Sequence, residues 1–177
     1  MFSVSTITSN TDPNYASFRS LYQGSFPIFE QRTESEQLAA FSDSHYRLIV
    51  YRDKETLAAF IGAWDFNGYI YIEHFAVNPL LRGQGLGTEL LKEFIDKTEK
   101  IVLLEIDPLV DEVSRARLRF YERCGFYVNT FEHQHPPYRK EFDPHRLIVL
   151  TTQRTISIEE YLRFNDDLKS IVMKQCA

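Results

Sequence analysis

From Phe75 to Thr88 the chain reads Phe-Ala-Val-Asn-Pro-Leu-Leu-Arg-Gly-Gln-Gly-Leu-Gly-Thr, with glycines at 83, 85 and 87 and a positive charge at Arg82. Glycines so spaced let the backbone turn until several N–H groups face one point, and a helix beginning there adds its partial positive charge. The chemistry on offer is a cradle for an anionic phosphate group. A nucleotide P-loop needs a lysine and Ser/Thr after its last glycine, and Leu86-Gly87-Thr88 supplies no lysine, which removes that reading. A dinucleotide loop needs Gly-x-Gly-x-x-Gly, whereas this one is Gly-x-Gly-x-Gly, although Glu105 lies about as far downstream as a ribose-binding acid would. That competitor and a purely structural glycine turn both stay open on the loop alone.

Two carboxylates, Glu73 and Glu105, interrupt apolar runs that read as strands. An acid is expensive to bury unpaired, so each invites a reason: a proton to be moved, or an Arg or Tyr to be paired. Glu73 alternates with Phe75 and Val77 and on that pattern shares their face. His74 is a further candidate base, but a strand histidine reads first as a hydrogen-bonded structural residue. His133 and His135, two apart, lack an accompanying Cys or acidic ligand set, so no metal is expected there and a pocket wall or an exposed loop are the alternatives.

These residues must be positioned by strands and helices that the pattern also predicts. Phe2 to Ile7 alternates like a strand, Asp12-Pro13 introduces a helix through Tyr22, and Thr33 with Glu36 forms a capping-box pattern ahead of Leu38. Tyr46 to Tyr51, Leu57 to Phe66 and Tyr69 to Val77 read as an antiparallel meander, the last two joined by Asn67-Gly68, whose residues tolerate positive φ. Leu86, Leu90, Leu91, Phe94 and Ile95 make one face of a helix. Ile101 to Ile106 reads as a strand covered on both faces, followed by a helix from about Asp111 to Cys124 that Gly125 closes. Phe126 to Phe131 and Leu147 to Thr151 read as a final strand pair around a polar loop from Glu132 to Arg146. Ser157-Ile-Glu-Glu160 opens a last helix to about Lys174, which either covers the domain or pairs with a second subunit in a homodimer.

With 177 residues the chain fits one domain, 1–177, with a core of about 2–152 and a C-terminal helix of about 157–174. Two cysteines, Cys124 and Cys176, are too few for a disulfide scaffold and lack zinc-site spacing, which favours a cytoplasmic setting. The N-terminal segment has no secretion pattern, and no stretch approaches the ~20 apolar residues of a membrane span. A net charge of −5 without a basic tract gives nucleic acid little to bind.

Ala76-Val-Asn-Pro79 followed by Arg82-Gly-Gln-Gly-Leu-Gly87 resembles the signature of the GCN5-related N-acetyltransferase (GNAT) superfamily, whose loop reads Gln/Arg-x-x-Gly-x-Gly/Ala. Phe120-Tyr-Glu-Arg-Cys-Gly-Phe126 is similar to that superfamily's second block, aromatic-Tyr-x-x-x-Gly-Phe. Many members carry Asn and Ala where this chain has Ser114 and Arg117.

The resemblance implies an α/β fold: a mixed, largely antiparallel sheet, here with seven strand candidates, flanked by helices and splayed between its fourth and fifth strands. It further implies an N-acetyltransferase that moves an acetyl group from acetyl-coenzyme A, as co-substrate, directly to a primary amine of a small molecule or peptide. The alternative is a non-catalytic module that only binds coenzyme A. On this resemblance Phe75, Ala76 and Val77 hold the pantetheine arm through their backbones, while Arg82, Gly83, Gln84, Gly85, Leu86, Gly87 and Thr88 hold the pyrophosphate. Tyr121 falls at the position of the general acid, and Glu105 resembles the base position of members that acetylate protein N-termini, with Glu73 as the other candidate base.

Overall fold

The computed structural model describes residues 1–176. Its strands are β1 (Ser3–Ile7), β2 (Tyr46–Asp53), β3 (Thr56–Asp65), β4 (Tyr69–Val77), β5 (Ile101–Ile106), β6 (Phe126–Val128), β7 (His133–His135) and β8 (His145–Thr152). Its helices are α1 (Tyr15–Ser25), α2 (Glu34–Phe41), α3 (Leu86–Asp96), α4 (Glu112–Arg123) and α5 (Ile158–Asp167). The strands run in the order β1-β2-β3-β4-β5-β8-β6, with β7 also paired to β8, and every pairing is antiparallel except β4 with β5.

Helices cover both faces of the sheet because alternate strand residues are apolar on both sides. On one face Phe18 and Tyr22 of α1, Ala40 of α2 and Tyr161 and Phe164 of α5 pack with Phe60, Trp64, Tyr71 and Leu103. On the other, Leu86, Leu90 and Leu91 of α3 pack with Ile61, Ile72, Val102 and Leu104, joined by Leu118, Phe120 and Tyr121 of α4. The chain after α5 continues as a π turn, Leu168–Val172, and Leu168, Val172 and Met173 complete the first core. The last helix therefore covers a face of its own sheet. None of the described helices is long and apolar enough to cross a membrane.

The expected capping box forms at Thr33 with Glu36, and two more close Ser157 on Glu160 and Asp111 on Ser114. Ser114 thus holds the start of α4 where many family members carry Asn.

Three local expectations change. The β3–β4 hairpin forms, but neither Asn67 nor Gly68 takes a positive φ; Phe66 N–H donates to Tyr69 O at 2.9 Å and closes a wider bend. The segment expected to be a plain loop, 132–146, contains β7, and strand character before it ends at Val128 because Asn129 turns inward. Its Nδ2 donates to Thr151 Oγ1 at 2.8 Å, and its Oδ1 accepts from Ile156 N at 2.9 Å. Finally, the β3–β4 register slips between Gly62↔His74 and Ala63↔Ile72, so Glu73 is a bulged residue without a partner opposite it. The bulge breaks the alternation on which Glu73 would share the face of Phe75 and Val77, and turns its side chain towards Trp64 instead.

Candidate active site

β4 and β5 pair only at Tyr69↔Ile101, Ile70↔Val102 and Tyr71↔Leu103. Beyond Tyr71 they diverge, and the wedge between them is a cleft of about 870 Å³. Phe75, Ala76, Val77 and the 82–88 loop line one end, apart from Gln84, which is exposed. Phe26, Phe29, Glu30, His135, Tyr138 and His145 line the other, with Glu105 and Tyr121 also in the wall.

At the loop end, Gly83 and Gly85 have φ of 78° and 76°, a region that costs a residue with a side chain about 1–2 kcal/mol. Gly85 is the N-cap of α3 and has no side chain to cap it, so the first N–H groups of the helix are left for another acceptor. A Cβ on Gly87 would stand in ordinary contact, 3.4 Å from Val77 Cγ2 and 3.5 Å from the Phe120 ring, where α3, β4 and α4 meet. Arg82 is exposed, and its Nε donates to Val77 O at 3.2 Å, so the guanidinium stands at the rim.

Tyr121 projects from α4 with its ring edge-on to Phe120 and Phe126, centroids 5.0 and 5.7 Å away. Burial pushes its phenol up to about 12, against a weaker pull from Arg117. Arg117 itself donates to Asp107 Oδ2 at 2.7 Å across the mouth of the cleft.

The two acids have different surroundings. Glu73 has no exposed side-chain surface, and both its oxygens are occupied. Arg32 grips it through Nε at 3.0 Å and Nη2 at 3.2 Å, Trp64 Nε1 donates at 2.9 Å and the Tyr138 hydroxyl at 2.8 Å. Burial acts to raise its carboxyl, but Arg32, His74 and these hydrogen bonds prevail and hold it at about 2. Arg32 is further fixed by Val172 O, 2.7 Å from its Nη2.

Glu105 accepts the Tyr71 hydroxyl on Oε1 and faces His133 Nε2 at 2.5 Å from Oε2, while His135 Nε2 lies 3.9 Å from Oε1. Burial again acts to raise it; attraction to His135 when that ring is charged, with His133 and Tyr71, outweighs burial and keeps Glu105 below its ordinary value. His133 Nδ1 is in turn 2.9 Å from the Tyr161 hydroxyl. His74 is buried beside Tyr22 and Phe26 with Nε2 2.9 Å from Glu30 O, a structural histidine by its contacts. Glu30 is pushed up to about 7 by burial and by the nearby Asp107, against Arg117.

These features agree with what known proteins show. The sequence pattern of the acetyltransferase (GNAT) family matches residues 15–126. The chain belongs to the GNAT acetyltransferase family. YjbC of Bacillus subtilis strain 168, named as an acetyltransferase, is 31% identical over 103 residues; the match takes in 57% of this chain and 52% of that protein, so the chain spans about half the length of this curated relative. A GNAT-family protein of Bacteroides thetaiotaomicron superposes with a TM-score of 0.87 at 26% identity, over 96% of this chain and 97% of that one. A Salmonella typhimurium protein solved with its cofactor acetyl-CoA shares the fold at a TM-score of 0.60 and 17% identity, over 89% of this chain and 96% of that one.

Sequence reasoning singled out the loop, Tyr121, Glu73 and Glu105, and the cleft brings them together. It passed over Arg32, Trp64, Tyr71 and Tyr138 as partners of the acids, and placed His133 and His135 only as a pocket wall or exposed loop. Their period-two spacing was the available signal that both sit on one strand face.

The Arg32–Glu73 pair has a measurable weight. A carboxyl depressed from an ordinary 4.5 to about 2 contributes stability that is complete above 4.5 and lost as pH falls towards 2. Replacing Arg32 by Met leaves that charge buried alone and should cost about 3–5 kcal/mol in urea unfolding at pH 7. The gap from the unaltered protein should close as both are titrated from pH 4.5 towards 2; a gap constant with pH would exclude the ion pair as its source.

Proposed function

We propose that this chain is an N-acetyltransferase that moves the acetyl group of acetyl-coenzyme A directly to a primary amine, both substrates being bound together. The observation that carries this reading is a single cleft with free helix N–H groups at one end and a buried phenol and carboxylate further along its wall. The coenzyme-bound relative of the same fold supports it.

On this reading the backbone of Phe75, Ala76 and Val77, freed from any strand on the β5 side, hydrogen-bonds the pantetheine arm. The loop from Arg82 to Thr88 receives the pyrophosphate on the N-terminus of α3. Tyr121 protonates the departing thiolate: a phenol held near 12 keeps its proton until the sulfur needs it. Glu105 is the carboxylate towards which the amine proton moves, while Glu73, with every oxygen engaged, anchors Arg32, Trp64 and Tyr138. The acceptor is a small-molecule or peptide amine, and the Glu105 carboxylate, with Glu30 able to ionise near pH 7, gives its end of the cleft an anionic character that suits a protonated amine on arrival.

Four substitutions test these assignments. Gly85→Val places methyl groups where the pyrophosphate approaches, in a position with no protein atom within 4 Å of the added Cβ. The positive φ should lower the thermal midpoint, but the folded variant should lose coenzyme A binding by calorimetry; unchanged affinity would falsify the loop assignment. Tyr121→Phe should keep coenzyme affinity while turnover in a thiol-release assay with an amine panel falls by roughly ten- to ten-thousand-fold. Full turnover would reduce Tyr121 to packing, and coenzyme binding without transfer to any amine by the unaltered protein would make the chain a binding module. Glu105→Gln should lower turnover per folded molecule by about a hundredfold or more, whereas Glu73→Gln should lower the unfolding midpoint and leave turnover per folded molecule largely intact. The reverse pattern would exchange their roles.

A further inference from the structure

His135 is 1% exposed, and its Nδ1 lies 2.6 Å from Pro136 O. A carbonyl oxygen can only accept, so Nδ1 carries the hydrogen, and in the neutral ring Nε2 is left with a lone pair. That Nε2 is buried without a hydrogen-bond partner among the described residues. Glu105 Oε1 is its polar neighbour at 3.9 Å, but two acceptors cannot bond each other, and the carboxylate is already taken by Tyr71 and His133. The ring stacks on Tyr138 and His145, with centroids 5.0 and 5.3 Å away at 23° and 26°, so its orientation is fixed by packing. It forms part of the cleft wall.

An orphaned buried acceptor is unfavourable in a folded protein unless a donor arrives from outside. Nε2 has no water-accessible surface of its own, so a donor reaching it from the cleft that the ring lines must displace the side chains that cover it. We propose that His135 Nε2 takes the proton of the incoming ammonium, with Glu105 as the anion that stabilises the imidazolium so formed. The inference rests on the acetyl-transfer reading above. The ammonium gives one proton to Nε2, and the freed nitrogen lone pair forms the C–N bond at the thioester carbonyl. The C–S bond then breaks with its electron pair on sulfur, and sulfur takes the Tyr121 hydroxyl proton. The Tyr121 phenolate recovers the second proton from the amide nitrogen, and His135 releases its own to water. Glu105 keeps its charge throughout, as a carboxylate held below its ordinary value should.

The discriminating experiment compares two acceptors: an alkylamine from the panel, protonated at pH 7, and an alkoxyamine of similar shape that is neutral there. His135→Gln and His135→Asn should each bind coenzyme A like the unaltered protein and lose about a hundredfold or more in kcat with the alkylamine. Turnover of the alkoxyamine, which brings no proton to remove, should stay within a few-fold. Equal loss with both amines assigns His135 to packing, and no loss with either removes it from the reaction; both outcomes overturn the proposal while leaving acetyl transfer intact. If the unaltered protein acetylates no amine at all, the transfer reading falls and His135 falls with it. Independently of any variant, nitrogen-15 spectra of the unaltered protein should show His135 with an unprotonated Nε2 that shifts when the alkylamine is added. A protonated Nε2 in the free protein would overturn the assignment outright.

Discussion

Three residue pairs hold β4 to β5, and the rest of the site depends on where they stop. A parallel pair that continued past Tyr71 and Leu103 would close the sheet and leave nothing between its two helical layers. Because the strands part, the edge of β4 from Ile72 onward has backbone groups with no strand opposite, and buried N–H and C=O groups demand partners. A ligand carrying its own amides answers that demand by behaving as a strand. The same gap lets side chains from opposite faces meet: Tyr121 belongs to the layer of α3 and α4, while Glu105 sits among residues packed beneath α5.

A wedge of this kind must be kept open, and two polar networks line it. The bulge at Glu73 turns the carboxylate away from the face of Phe75 and Val77 and into Arg32, Trp64 and Tyr138, which join β4 to β3, to the start of α2 and to the segment after β7. Breaking that set would leave a charge in a dry interior, so it is costly to disturb. Glu105 lies in a set without a guanidinium: Tyr71 and His133 take its two oxygens, and His135 Nε2 stands 3.9 Å from Oε1 without a hydrogen bond. Two glutamates in similar apolar runs are thus given different chemistry by what surrounds them: one is gripped by a guanidinium, the other is held by a phenol and an imidazole.

The sequence was legible wherever the determining interaction is local. The bounds of β4 and β5, the helix after the glycine loop and the capping boxes at Thr33 and Ser157 all follow from spacing within a few residues. The glycine loop was legible because the positive φ at Gly83 and Gly85 favours a residue without a side chain. What the sequence withheld depends on distant pairs. Arg32 and Glu73 are 41 residues apart, and Glu105 and His133 are 28 apart, so neither contact leaves a local pattern. The bulge at Glu73 was invisible for a related reason: alternation along β4 looks intact until the register with β3 is known. β7 was missed because three residues, His-Gln-His, carry no apolar alternation and pair only once β8 is in place.

The two ends of the cleft draw differently on the chain. The family match spans residues 15–126, and it contains the glycine loop, β4, β5 and Tyr121, which is everything assigned to the coenzyme and the leaving thiolate. His133, His135, Tyr138, His145 and Tyr161 lie beyond it, on β7, β8, the segment between them and α5. One continuous hydrogen-bonded path runs from Tyr161 on α5 through His133 to Glu105. The C-terminal helix is therefore more than a cover for the sheet: through His133 it fixes the face of Glu105 that does not look onto His135. The glycine-loop end of the cleft is built wholly from the matched segment, whereas the opposite end joins Phe26, Phe29, Glu30 and Glu105 of that segment to His135, Tyr138 and His145 of the part that follows it.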